Sequence, residues 1–148
     1  MTTFGPDNGL VITPISSKQK KQKPCSFTDY KEQEERFNKG ESIYWDDSPS
    51  NKTKTGDLFV FRFDSKKTVL HIVEEVSDPT KRLESWSDNV GQSNRNVLKL
   101  SNKSITVPWE IWSSFNYKGG MMGTQYMDTK KHEESKFRIF DYANERFK

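Results

Sequence analysis

Residues Gly56–Val76 read GDLFVFRFDSKKTVLHIVEEV, the longest apolar patterned region in a polar chain. Phe59, Phe61 and Phe63 alternate with Leu58, Val60 and Arg62, a period of two that belongs to a strand. Asp64-Ser65-Lys66-Lys67 is turn-forming. Beyond it Leu70, Ile72, Glu74 and Val76 share one face, and Val69, His71, Val73 and Glu75 the other. The stretch therefore predicts a hairpin. Both of its faces are partly apolar, which places the pair centrally in a curved sheet or small barrel.

The hairpin lies in a chain of 148 residues, the size of one domain. Apolar content is 31% and charged content 30%, a balance that leans toward disorder. Ten Phe, five Tyr and four Trp reverse that leaning, because a few large rings bury enough area for a core. One cysteine, Cys25, excludes an internal disulfide framework. No run reaches the roughly 18 apolar residues of a membrane span, and the N-terminus lacks a signal-peptide core. The expectation is an intracellular protein, cytoplasmic or nuclear, with no membrane partner.

The net charge of +3 is concentrated at one end. Residues 1–25 carry Lys18, Lys20, Lys21 and Lys23 against Asp7, so the remainder is formally neutral. A KQKKQK run can hold a phosphate backbone or act as a targeting signal, or simply be a solvated tail. With Gly5, Pro6, Gly9, Pro14 and Pro24 around it, 1–25 reads as a flexible basic tail, and 26–148 as the globular domain. Leu10–Ile12 could dock as an edge strand.

Outward from the hairpin, a helix is expected from Ser26 or Thr28, with Phe27, Tyr30, Glu34 and Phe37 on one face and Gly40 as its stop. Ser42–Trp45 reads as a short strand and 46–55 as a polar loop. After the Asp78-Pro79 break, Leu83 and Trp86 suit one helical turn within a second polar loop. Val97–Leu100 and Ser104–Val107 read as two strands around Asn102-Lys103. Pro108 opens a short helix carrying Trp109 and Trp112. Lys118–Gly123, KGGMMG, is a loop, and Phe137–Tyr142 alternates like a last strand.

Catalytic motifs are scarce. The two histidines have different settings: His71 is mid-strand and expected in the core, and His132 on the surface. No paired-cysteine or HExxH spacing indicates zinc, and no GxSxG, Walker A or GxGxxG occurs. Glu74 and Glu75 point to opposite faces of a strand and do not act together. Asp46-Asp47 in the loop could serve a nuclease-like site. No cofactor is implied.

The aromatic constellation carries more. Tyr44, Trp45, Trp86, Trp109 and Trp112 fall at strand ends or in loops, where rings can sandwich an unpaired base or cage a methylated group. Arg62, Arg82, Arg95, Lys52 and Lys54 could hold phosphates. The alternative is that the tryptophans fill a core poor in aliphatics.

The order of these motifs is an aromatic-tipped segment, a polar loop, GDLFVFRF, a return strand LHIVEEV, a D-P break with RLxxW, and a strand feeding ITVPWEIW. It resembles the PUA-like superfamily, in its EVE and YTH branch, over about residues 40–115. The resemblance implies an α+β fold with a small, mostly antiparallel pseudo-barrel flanked by helices. It also implies a pocket for a modified or unpaired base. By position Trp45 and Trp86 match the cage rings, with Ser42 or Tyr44 as polar neighbour; Trp109 is a further candidate ligand-binding ring. The family's opening strand, KGGMMG and the C-terminal third have no match. The expected function is non-catalytic nucleic-acid binding, with Lys18, Lys20, Lys21, Lys23, Lys52, Lys54, Arg82 and Arg95 on phosphates. A protein-interaction module and a nucleic-acid-processing enzyme using the loop carboxylates are the alternatives.

Overall fold

A computed structural model describes residues 4–15, 27–63, 67–81, 94–117, 124–127 and 132–147. Its strands are β1 (Leu10–Ile15), β2 (Ile43–Asp46), β3 (Leu58–Phe63), β4 (Lys67–Ser77), β5 (Val97–Pro108) and β6 (Gln125–Met127). Its helices are α1 (Phe27–Asn38), α2 (Trp109–Ser114) and α3 (Glu133–Arg146), with a 3-10 turn at Pro79–Lys81. The strands form one six-stranded sheet in the order β2-β5-β4-β3-β1-β6. It curls into a half-barrel, with β2 and β6 at its edges.

The hairpin is central, as its two apolar faces require. β3 and β4 pair antiparallel from Leu58↔Ile72 to Phe63↔Lys67. Leu58 and Val60 enter a core on one face with Leu70, Trp112, Ile139 and Phe140. Phe59 and Phe61 enter a core on the other face with Trp45, Val73, Leu98 and Leu100. The turn at Asp64–Lys66 lies outside the described residues, as do Leu83, Trp86 and KGGMMG.

Residues 4–15 are not a tail. β1 lies inside the sheet, parallel to β3 from Leu10↔Leu58 to Ile15↔Phe63 and antiparallel to β6 through Leu10–Ile12. Leu10 and Ile12 feed one core, Val11 and Ile15 the other, the two-sided burial of an internal strand. Pro14 falls past the end of β6, where β1 has β3 as its neighbour and a residue without an N–H is tolerated. Upstream, Asn144 of α3 brackets Phe4: Phe4 N–H donates to Asn144 Oδ1 at 2.7 Å, and Asn144 Nδ2 donates back to the Phe4 carbonyl at 3.0 Å. The Phe4 ring stacks on Phe140 at 5.4 Å. Lys18–Lys23 and Cys25 lie outside the described residues.

Two other expectations change. The segment 97–107 is a single strand, not two around a turn. β5 bends past β4 through register shifts near Val73, and Ser101 repairs the ladder there. Its Oγ accepts from Ile72 N–H at 2.9 Å and donates to the Lys103 carbonyl at 2.7 Å. The supposed last strand is α3. Ser135, Ile139 and Ala143 are buried at a spacing of four, with Phe140 beside them, while Phe137 stays outside at 36% exposure. A helical stripe, not an alternation, decides this segment.

Elsewhere the local signals hold. α1 ends at Gly40, where Gly40 N–H donates to the Phe37 carbonyl and Glu41 N–H to the Arg36 carbonyl, both at 3.0 Å. Pro108 precedes α2 as its N-cap instead of occupying its first turn.

Candidate functional site

Among the described residues, the aromatic side chains expected to form one cage are divided by the sheet. Trp45 is 0% exposed, with Phe61 at 5.0 Å and Tyr30 at 6.1 Å from its ring. It is a core residue and presents no ring face to solvent. Trp109 belongs to the opposite face, half-buried beneath the Arg62 guanidinium at 5.4 Å. Tyr44 is half-buried under Arg36, 5.2 Å from the ring, and Ser42 Oγ donates to Glu74 Oε1 at 2.7 Å. Trp86 and Arg82 lie outside the described residues. Arg95 is committed within the fold, 3.5 Å from buried Asp46. Lys52 and Lys54 are exposed, and Lys54 Nζ donates to the Asp7 carbonyl at 3.0 Å.

The loop from Asp47 to Asp57, polar in sequence, is built around buried carboxylates. Asp47 and Asp57 are both 0% exposed. Asp47 Oδ1 accepts from Ser48 N–H at 2.7 Å and from the Thr53 hydroxyl. Burial raises its pKa, and the Thr53 bond opposes that rise. Asn51, at φ +53°, clamps the neighbouring loop: its Nδ2 donates to the Asn94 carbonyl at 2.6 Å and its Oδ1 accepts from Asn96 N–H at 2.9 Å.

Asp57 closes the loop. Its Oδ1 accepts from Gly9 N–H and its Oδ2 from Lys54 N–H, each at 2.8 Å. Gly56, at φ +94°, donates to the Val73 carbonyl at 2.8 Å, and Val73 N–H donates to the Asp57 carbonyl at 2.9 Å. The Gly-Asp pair thus ties β1, β3 and β4 together at one end of the sheet. Glycine supplies the left-handed backbone and aspartate satisfies two backbone donors. These carboxylates are structural ties. Among the described residues no group of three or more His, Cys, Asp or Glu side chains could hold a metal ion.

The same loop walls a cavity of about 410 Å³. Ser48, Pro49 and Ser50 face Thr124 and the β6 residues Gln125–Met127 across it, with His132 at its side. Ser48 and Ser50 share a hydrogen bond of 2.8 Å, and Thr124 one of 2.9 Å with Thr13. Behind the wall, Tyr117 donates to Gln125 Oε1 at 2.9 Å, and its ring lies 5.4 Å from His132. Gly9 makes room for Tyr126, since a Cβ there would overlap the phenol ring. No sequence signal marks Ser48, Ser50, Thr124, Tyr126 or His132 as site residues, because β6 and the loop meet only through the curl of the sheet. His71 is in the core as expected: burial lowers its pKa from 6.5 to about 4, and Nδ1 donates to the Ser101 carbonyl at 2.7 Å.

A second cavity, of about 430 Å³ between α2 and α3, has its cations committed: Arg138 pairs with Glu134, and Arg146 stacks 3.6 Å from the Tyr142 ring centre. No protein-family model, curated protein or solved structure matches the chain.

Proposed function

We propose that the chain is a non-catalytic nucleic-acid-binding domain of PUA-like type that takes an unpaired base, plain or modified, into the cavity between the Asp47–Asp57 loop and β6. One juxtaposition supports this reading. The loop that gives Ser48 and Ser50 to the cavity wall also carries exposed Lys52 and Lys54. Hydroxyls, an amide and the rings of Tyr126 and His132 suit the edge and face of a base, and lysines a few residues away suit its backbone phosphates. About 410 Å³ falls within the roughly 300–1,000 Å³ of ligand pockets. The aromatic wall is then Tyr126 with His132, in place of Trp45. The lysine run Lys18–Lys23, which follows β1 in the chain, adds phosphate contacts.

Fluorescence anisotropy with single-stranded oligonucleotides, plain and base-modified, tests this. Ser50→Tyr, at an exposed position on the cavity lip, should weaken binding without changing the melting temperature. If neither oligonucleotide binds at low salt, the proposal is lost.

A protein partner is the second reading, favoured by β5. β2 pairs with β5 only through Val97–Leu100, so among the described residues no strand covers that side of Lys103–Pro108. Such an edge accepts an added strand. Pull-down of a protein partner by wild type but not by Thr106→Pro, with no oligonucleotide binding, would favour it.

A further inference from the structure

The cavity beside β6 contains one side chain whose hydrogen-bonding sense is fixed by the fold. Among the described residues no Lys, Arg, Asp or Glu lines it, so a charged group would enter unpaired and a neutral one suits it. Ser48 and Ser50 share a hydrogen bond, as do Thr124 and Thr13, and in each pair either hydroxyl can be the donor. A hydroxyl that rotates meets a donor or an acceptor alike and discriminates little. Gln125 differs. It is half-buried in the same wall, and its Oε1 accepts from the Tyr117 hydroxyl at 2.9 Å. A carboxamide oxygen only accepts, so the phenol is the donor. Burial pushes that phenol up to about 12, against the pull of Arg62, so it keeps its proton. The Tyr117 ring has Trp112 at 6.1 Å and His132 at 5.4 Å as neighbours. Among the described residues nothing accepts from Gln125 Nε2, the end of the amide left for a ligand.

A glutamine with both ends free reads adenine by donating from Nε2 while its Oε1 accepts from the exocyclic amine. With Oε1 occupied, only the donating half remains. That half matches a carbonyl oxygen. It meets an amino group donor to donor, which leaves both unpaired in the cavity. We infer that Gln125, held by Tyr117, selects a base with a carbonyl over the same ring with an amino group at that position: uracil over cytosine, and a 6-oxopurine over adenine. Gln125 is then the specificity residue and Tyr117 a positioning residue. The inference rests on the base-binding reading of this cavity and names the class of base that it takes.

The test is fluorescence anisotropy of the full chain at low salt, with single strands that are abasic except at one position. That position carries uracil or cytosine in one pair of strands, and hypoxanthine or adenine in the other. Each pair compares keto with amino on the same ring. Wild type should bind the keto member of at least one pair about tenfold more tightly. Gln125→Met should remove the preference by weakening the keto strand. Tyr117→Phe, which frees Oε1, should remove it from the other side, by strengthening the amino strand. A merely structural role for Tyr117 would instead weaken both strands together and leave their ratio alone. Binding without a keto preference, or a preference that survives in either variant, overturns this inference and leaves the base-binding reading standing. Binding of no strand at all overturns both.

Discussion

Asp57 shows how much one side chain can organise. Its two oxygens serve backbone donors from Gly9 and Lys54, at the start of β1 and in the loop before β3. Asp57→Ala leaves the buried Gly9 N–H and the part-buried Lys54 N–H without their acceptor, at about 1–3 kcal/mol for the first and less for the second. Urea denaturation should show a loss of about 2–5 kcal/mol, with Asp57→Asn recovering part of it. Trp45 gives a second test at this scale. Trp45→Ala should cost about 3–5 kcal/mol as a large core truncation. Trp45→Phe should cost much less, since the indole Nε1 has no hydrogen-bond partner to lose. A Trp45→Ala variant with unchanged melting temperature would contradict its core position. From sequence, Trp45 offers two readings, because a ring at a strand end looks the same whether it faces solvent or Phe61. Gln33 gives no sequence signal at all: it is a polar residue beside the aromatic stripe of α1, yet it is 0% exposed and its Oε1 accepts from Tyr44 N–H at 2.9 Å.

Among the elements, β3 and β4 are legible because period-two alternation with apolar residues on both faces is the pattern of a strand buried on two sides. β5 and α3 are not. Asn102-Lys103 looks like a turn, but Ser101 supplies the hydrogen bonds that let the strand run on through the irregularity. Asn102 also helps, its Nδ2 donating at 2.8 Å to the carbonyls of Phe37 and Glu41 at the end of α1. Ser101→Ala should therefore cost about 1–3 kcal/mol by leaving Ile72 N–H unpaired, and hydrogen exchange at Ile72 should quicken. In α3 the short window Phe137–Tyr142 matches a strand, and only the longer run to Phe147 reveals the helical stripe. β1 is hidden in the sequence because Gly and Pro around it resemble a linker, whereas its six residues are covered by neighbours distant in sequence.

At the scale of the whole molecule, burial sets how stability responds to pH. His71 stays neutral in the fold until about pH 4, whereas the unfolded chain takes up its proton from about 6.5 downward. Its contribution is present above pH 6.5 and is lost as the pH falls toward 4, on the order of 3 kcal/mol in all. Asp47 acts in the opposite sense. Its raised pKa means the folded state holds that proton more firmly, so its ionisation opposes folding as the pH rises. Denaturation midpoints at about pH 7 and pH 4.5 separate the two: His71→Phe should flatten the acid loss, and Asp47→Asn should hold or raise stability near neutral pH.

The curl of the sheet also decides where a ligand can sit. It separates Trp45 from Trp109 and Trp112 and brings the Asp47–Asp57 loop against β6, two segments whose meeting no local pattern announces. The proposed role of that seam rests most directly on the salt dependence of single-strand binding in wild type and in Lys52→Glu/Lys54→Glu. The account predicts that log affinity falls linearly with log salt in wild type, and that the double variant binds more weakly with a slope shallower by about 1–2. Equal affinity and equal slope for the two proteins would contradict it.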